Sequence, residues 1–449
     1  MEATMEKTDY LTLWSSLSLD EMEEWLHNEG GRYTAALEAL FGEHWQELRA
    51  PPAKRGLAAD KQPVVLIPGC GGSELHSVRG VITRLYLDPR LILKGRGIYL
   101  KMNAKGNADA LPAIEGTALR CMPRAYDKMR LFLSRNAWLH EFPYDWRRNV
   151  QAIAERLHAA IEHWASGVAE RKFSLVCHSM GGMVARTYLA THPQAAEKRI
   201  ARVIMLGTPH YGVVSNLLNL LHGDLGLKIM EKINPANAPL EVARSFPSMF
   251  QTLPSPPEHF KAQVPYPIQG GWDLYRAESW RIDGIEQAHL DSAARFHALM
   301  AGPAAQVPLF EIAGCHFGTA VALKRVIAPG EKPDYRVTYV NEGPNSGDDT
   351  VPLWSTLPPG GTRYFVQAKH GDLPHKNEVL QAVLDLIHGE ATIELPQELP
   401  NKKQWGIMDQ HKSPELEVED VDRAAERLRK RLADGTFDLD DVSLLQFGL

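Results

Sequence analysis

A serine, an acidic residue and a histidine follow one another along this chain in an order that could support acyl transfer. Ser179 lies in Phe173-Ser-Leu-Val-Cys-His-Ser-Met-Gly-Gly-Met-Val-Ala-Arg-Thr-Tyr-Leu189. There an apolar run suited to a buried strand meets a sharp turn, and a helix-compatible run continues from Gly182 until Pro193 stops it. This is the strand, elbow, helix arrangement that holds a serine in a strained backbone with its hydroxyl raised above a sheet edge. Residues two before and two after such a serine must be small; Gly181 meets that demand, and Cys177 stands where the G-x-S-x-G pattern has glycine. A serine hydroxyl is a weak nucleophile until an imidazole takes its proton and a carboxylate orients that imidazole. Gly347-Asp-Asp-Thr-Val-Pro352 offers the carboxylate, and His370 follows a later strand-like run, with His375 as the alternative base beyond Pro374. A tetrahedral intermediate needs two backbone N–H donors for its oxyanion. Met180, which follows the serine, gives one, and the glycine-rich loop Pro68–Ser73 supplies the other.

These residues need a parallel sheet to bring them together, and the chain reads as one. Pro63-Val-Val-Leu-Ile67 is a short β-branched run feeding the glycine-rich loop, Trp138–Arg147 returns toward the sheet, and Val150–Trp164 has helical spacing of Ile153, Leu157, Ile161 and Trp164. Strand-like runs at Arg202–Leu206, Leu309–Gly314, Tyr335–Val340 and Arg363–Gln367 precede a closing helix at about Glu378–Ile387. Alternation of this kind predicts helices on both faces of a mostly parallel sheet. Two stretches interrupt it: an irregular lid insertion at 76–137, and a leucine-rich, then aromatic, cap insertion at 213–308. The domain built on this sheet therefore spans 63–390. An acidic helical segment (1–50) precedes it, ending at the break around Pro51 and Pro52, and a charged helical segment (400–449) follows, its amphipathic helix capped by Gly435.

Composition bounds the partners. A net charge of −6 gives no basic stripe to displace counterions from phosphates, which excludes nucleic acid as a partner. The acidic start does not read as a secretory signal, and no run is long enough to span a bilayer. The four cysteines are scattered without metal-ligand spacing, which fits reduced thiols and a cytoplasmic protein, peripheral at a membrane if it meets one there.

Five ordered blocks, Pro63–Leu75, Phe142-Pro-Tyr-Asp-Trp-Arg147, His178-Ser-Met-Gly-Gly182, Arg244-Ser-Phe-Pro-Ser-Met249 and Gly347–Pro352, together resemble the lecithin:cholesterol acyltransferase family. That family includes lysosomal phospholipase A2 and phospholipid:diacylglycerol acyltransferase. The resemblance runs from about Pro63 to Ile387. It implies an α/β-hydrolase fold with Ser179 as nucleophile, Asp348 as acid, and Gly71 and Met180 as oxyanion donors; glycine is common in the family where Asp349 stands. It departs from secreted members in having no cysteine pair in the lid.

The resulting expectation is a serine acyl hydrolase or acyltransferase acting on lipid esters, with His370 as base and no metal or organic cofactor. Its partners would be an acyl lipid, met at a membrane or micelle surface, and a protein or second copy held through the terminal segments. Two alternatives stand beside it: an esterase or thioesterase on a soluble acyl compound, and a partner-regulated protein in which the terminal segments do the recognition.

Overall fold

The computed structural model describes residues 61–77, 83–111, 117–121, 125–167, 171–401 and 420–436, with a few isolated positions near either end. The expected helices at 1–50 and the break at Pro51–Pro52 lie outside the described residues. Strands are β1 (Pro63–Ile67), β2 (Ser73–Ser77), β3 (Thr83–Arg84), β4 (Thr117–Cys121), β5 (Trp138–Glu141), β6 (Phe173–His178), β7 (Ile200–Leu206), β8 (Ile268–Gln269), β9 (Leu309–Gly314), β10 (Thr319–Val326), β11 (Asp334–Val340) and β12 (Thr362–Val366). The α-helices are α1 (Pro89–Leu93), α2 (Asp127–Asn136), α3 (Val150–Trp164), α4 (Met180–Thr191), α5 (Pro193–Arg199), α6 (Val214–His222), α7 (Leu225–Ile233), α8 (Pro239–Ala243), α9 (Pro247–Gln251), α10 (Gln287–Ala301), α11 (Asn377–His388) and α12 (Asp420–Asp434).

Six strands form the central sheet in the order β12-β9-β7-β6-β1-β5, every neighbouring pair parallel. A parallel sheet is covered on both faces, so its strands read as continuous apolar runs rather than alternating ones. Successive residues of β1 make the division visible. Val65 and Ile67 join a core with α3 and α4 on one face, through Ile153, Leu157, Val184 and Tyr188. Val64 and Leu66 join a second core on the other, with Met129 and Leu133 of α2 and Val379, Val383 and Leu386 of α11. Residues 127–136, expected in the lid, are thus the crossover helix between β1 and β5. The excursion before them is a small antiparallel sheet, β3-β2-β4, with α1 beside it.

Tyr335–Val340 does form a strand, but outside the central sheet. It pairs antiparallel with β10, which pairs in turn with β8 of the cap. Between β7 and β9 the chain builds α6–α10 and adds no central strand. The C-terminal α12 buries Ala424, Ala425, Leu428 and Leu432. Its Arg429 donates to the carbonyls of Lys232 and Ile233 at the end of α7, and Asp422 pairs with Lys232 at 2.8 Å. The apolar face of this helix is therefore spent within the chain. Among the described residues no helix is long and apolar enough to cross a membrane.

Topology, strand order and the strand-to-helix turn at Ser179 make this an α/β-hydrolase fold with a largely helical insertion between β7 and β9.

Candidate active site

Ser179 joins β6 to α4 at φ 55° and ψ −125°, a conformation that an L-residue adopts only when its surroundings enforce it. Those surroundings are specific. The Ser179 N–H donates to Leu206 O at 2.8 Å, and its carbonyl accepts from Gly182 N at 3.0 Å and from Thr208 Oγ1 at 3.2 Å. Gly181 is required by close approach: a Cβ there would lie 2.4 Å from Ile67 O and 2.6 Å from Pro68 O. The elbow is thus wedged between the ends of β1 and β7.

Residues of the next two loops meet beside the end of β7. Asp348 and His370 are fully buried, and His370 Nδ1 lies 2.8 Å from Asp348 Oδ2. Asp348 Oδ1 accepts from Val351 N at 2.6 Å and Thr350 N at 3.1 Å, and its carbonyl accepts from His370 N at 2.8 Å. The carboxylate is therefore fixed from three sides. Gly207, at φ 59°, makes room for the pair: a Cβ would fall 2.9 Å from both Asp348 Oδ2 and His370 Nδ1. Burial alone would push the His370 pKa down, but Asp348, through charge and hydrogen bond, and Asp349 raise it above its ordinary value. His370 Nε2 is buried without a hydrogen-bond partner.

The neighbouring candidates stand apart. Asp349 turns away at φ 77°, bonds the Thr350 hydroxyl and lies 3.7 Å from Lys369, and burial with the Asp348 charge raises its pKa to about 6. His375 ends the 3₁₀ helix that His370 begins and is only half-buried.

Cys70, Ser179 and Met180 line one cleft together with Val213, Asn216 and Thr252 of the cap region. Met180 and, from the loop after β1, Cys70 thus line the cleft with Ser179. Burial pushes the pKa of the Cys70 thiol up to about 12. The loop is braced by the Phe142–Arg147 block: Tyr144 Oη donates to Pro68 O at 2.7 Å, and Trp146 Nε1 to Ser73 O at 3.0 Å. Arg147 forks onto Asp145 at 2.8 and 2.9 Å and reaches the lid at Asp109, 2.8 Å away. The cleft is small, with a free volume of about 50 Å³, against several hundred for a typical ligand site. Ser248 Oγ, also lining the cleft, has no hydrogen-bond partner.

One buried group escaped the sequence reading. Glu311, inside β9, accepts from Thr208 N at 2.8 Å and lies 3.2 Å from His210 Nε2, whose Nδ1 meets Arg186 at 3.0 Å. Burial raises the Glu311 pKa well above the usual carboxylate range and lowers that of His210. Its signal was a carboxylate set inside an apolar run, Leu309-Phe-Glu-Ile-Ala-Gly314, which must find partners when buried.

The family model of lecithin:cholesterol acyltransferase matches residues 130–279, a segment holding Phe142–Arg147, the elbow and Arg244–Met249. Among solved structures the chain is similar to the Tle4-Tli4 complex, at 14% identity and a TM-score of 0.49, over 73% of this chain and 98% of that one. It is also similar to Bacillus licheniformis lipase BlEst2 in mature form, at 16% and 0.31, over 75% and 96%. A third is phospholipase PlaB from Legionella pneumophila, at 9% and 0.30, over 84% and 65%. No curated protein matches the sequence. An α/β-hydrolase fold thus carries, over residues 130–279, the lecithin:cholesterol acyltransferase pattern that the sequence blocks resemble.

Proposed function

We propose that this protein is a serine acyl hydrolase or acyltransferase that cleaves lipid esters through an acyl-serine intermediate. Ser179 Oγ attacks the ester carbonyl as His370 Nε2 takes its proton; Asp348 holds the imidazole and stabilises the imidazolium. The oxyanion is received by the Met180 N–H and by an N–H of the glycine-rich loop after β1, assigned to Gly71 from the sequence, with Cys70 of the same loop lining the cleft. The imidazolium then returns its proton to the leaving alcohol, and water or another alcohol takes the acyl group from Ser179. The observation that carries this reading is the strained elbow serine together with a buried Asp348–His370 pair at the end of β7, whose Nε2 has no hydrogen-bond partner. No step requires a metal or organic cofactor. The lipid assignment is supported by the family match over 130–279 and by the apolar helices of the cap.

A second reading, an esterase or thioesterase on a small soluble acyl compound, is favoured by the cleft itself, which is narrow and lined by Ser215, Asn216, Asn219 and Ser248. Buried thiols at Cys70, Cys177 and Cys315 are consistent with a cytoplasmic, membrane-peripheral enzyme. Because α12 is docked on α7, a protein partner would meet some surface other than its apolar face.

The test is mass spectrometry of mixed phospholipids and acylglycerols incubated with purified protein and with Ser179→Ala. Ser179-dependent release or transfer of acyl chains supports the lipid reading. Turnover of soluble esters alone replaces it with the second.

A further inference from the structure

A hydrogen-bond chain runs beneath the site and joins the loop after β1, the elbow and the base. The Gly69 N–H donates to Tyr126 Oη at 2.8 Å, Tyr126 Oη lies 2.7 Å from His178 Nδ1, and His178 Nε2 lies 3.0 Å from the carbonyl oxygen of His370. Tyr126, His178 and His370 are all buried to within 1%. A carbonyl can only accept, so His178 Nε2 carries the proton and Nδ1 is the acceptor. Tyr126 must then donate to Nδ1 while its oxygen receives Gly69. Every proton in the chain has one position. Burial and the neighbouring His370 hold the His178 pKa well below its ordinary value, so the ring stays neutral and the chain is not broken by protonation.

The chain spans the two things that must be in register for acyl transfer. At one end, Gly69 sits against the nucleophile, since a Cβ there would lie 2.9 Å from Ser179 Cβ, and the cleft residue Cys70 follows it. At the other end, the His370 backbone is gripped on both sides, its N–H by the Asp348 carbonyl and its C=O by His178. We propose that Tyr126 and His178 are positioning residues that set the oxyanion loop and the general base at a fixed spacing on either side of Ser179. The inference rests on the serine-hydrolase reading above and adds to it two residues that never touch the substrate.

Tyr126→Phe keeps the ring, which packs against Gly72, and removes only the hydroxyl. Gly69 loses its acceptor and His178 its donor, so the His178 proton is free to move to Nδ1 and release the base's carbonyl. The expected result is a kcat lower by about 10–100-fold, the scale of an ångström-sized misplacement, with KM little changed and the fluorophosphonate labelling rate falling in parallel. His178→Ala should lose as much, and His178→Asn, which restores an N–H donor, should recover part of the loss. A ¹⁵N spectrum supplies a readout apart from activity: His178 should be a single Nε2–H tautomer in the wild type and a mixture in folded Tyr126→Phe.

A folded Tyr126→Phe protein with unchanged kcat, or a wild type whose His178 is not the Nε2–H tautomer, would overturn the inference alone. A wild type that neither labels nor hydrolyses any ester would instead overturn the functional reading and, with it, the catalytic consequence.

Discussion

At the scale of residues, the site divides into groups that react and groups that hold them, and substitutions should separate the two. Ser179→Ala removes the proposed nucleophile and should lower turnover by on the order of 10³-fold or more and abolish fluorophosphonate labelling, with the fold retained. Substantial residual rate would move the nucleophile elsewhere. His370→Ala should match that loss and His375→Ala cost little, because His370 is the ring held by the buried Asp348 carboxylate. The pH dependence follows from the same contact. The base acts as free imidazole, so kcat/KM should rise with pH through a midpoint above the ordinary 6.5, since Asp348 lifts the His370 pKa. Asp348→Asn should bring that midpoint down along with the rate, whereas Asp349→Asn should leave most of the rate. Stability has the opposite sense: a raised imidazole pKa contributes below its unfolded value and is lost as pH rises through the folded one. A midpoint at or below 6.5 in the wild type would contradict the Asp348–His370 coupling.

Elements decide how much of this could be read in advance. The elbow was legible because Ser179 and Gly181 sit where an apolar run stops and a helix begins, and α3 and α12 were legible from their helical spacing. The order of Asp348 and His370 was visible too, whereas their contact was not, since it depends on β7 ending at Gly207 between them. The β10–β11 hairpin was misplaced because Tyr335–Val340 looked like one more strand of the central sheet. Its alternation of half-buried and exposed residues, with Tyr339 64% exposed, belongs to a sheet covered on one face. The crossover helix α2 was absorbed into the lid by an irregular neighbourhood, and with it Tyr126, which carries no local signal. Glu311 lies inside β9, facing the Thr208–His210 loop. Glu311→Ala would strand the Thr208 N–H and leave His210 Nε2 without its buried partner, at a cost of about 1–3 kcal/mol. Thermal unfolding measures it; a change under about 1 kcal/mol would mean that the loop is held by the strand backbone instead.

At the scale of the whole molecule, the narrowness of the cleft beside Ser179 sets the expected kinetics. A cleft of about 50 Å³ beside Ser179 cannot take an acyl chain, and its outer wall is cap: Val213, Ser215, Asn216 and Asn219 lead from β7 into α6, with Ser248 and Met249 in α9. The lid is tied to the cap at Gly97 and Asn237 (2.9 Å) and to the Phe142–Arg147 block at Asp109 and Arg147, and α12 lies across α7. Opening must therefore move packed helices. Clamps of this kind give way when an apolar surface replaces the contacts they lose, as a micelle or bilayer does for the leucine-rich faces of the cap. Specific activity on a long-chain ester should accordingly rise steeply as substrate passes from monomers to micelles, whereas a short soluble ester should show no such break. Leu428→Ala gives an independent handle. Truncating this buried contact between α12 and the cap should cost about 2–5 kcal/mol in thermal unfolding. If α12 restrains the cap, the same variant should also raise activity on monomeric long-chain ester at a temperature where it remains folded. A rate on long-chain substrate that runs smoothly through the micelle point, in wild type and variant alike, would mean that the cap does not gate entry, and the soluble-ester reading would then fit the narrow cleft better.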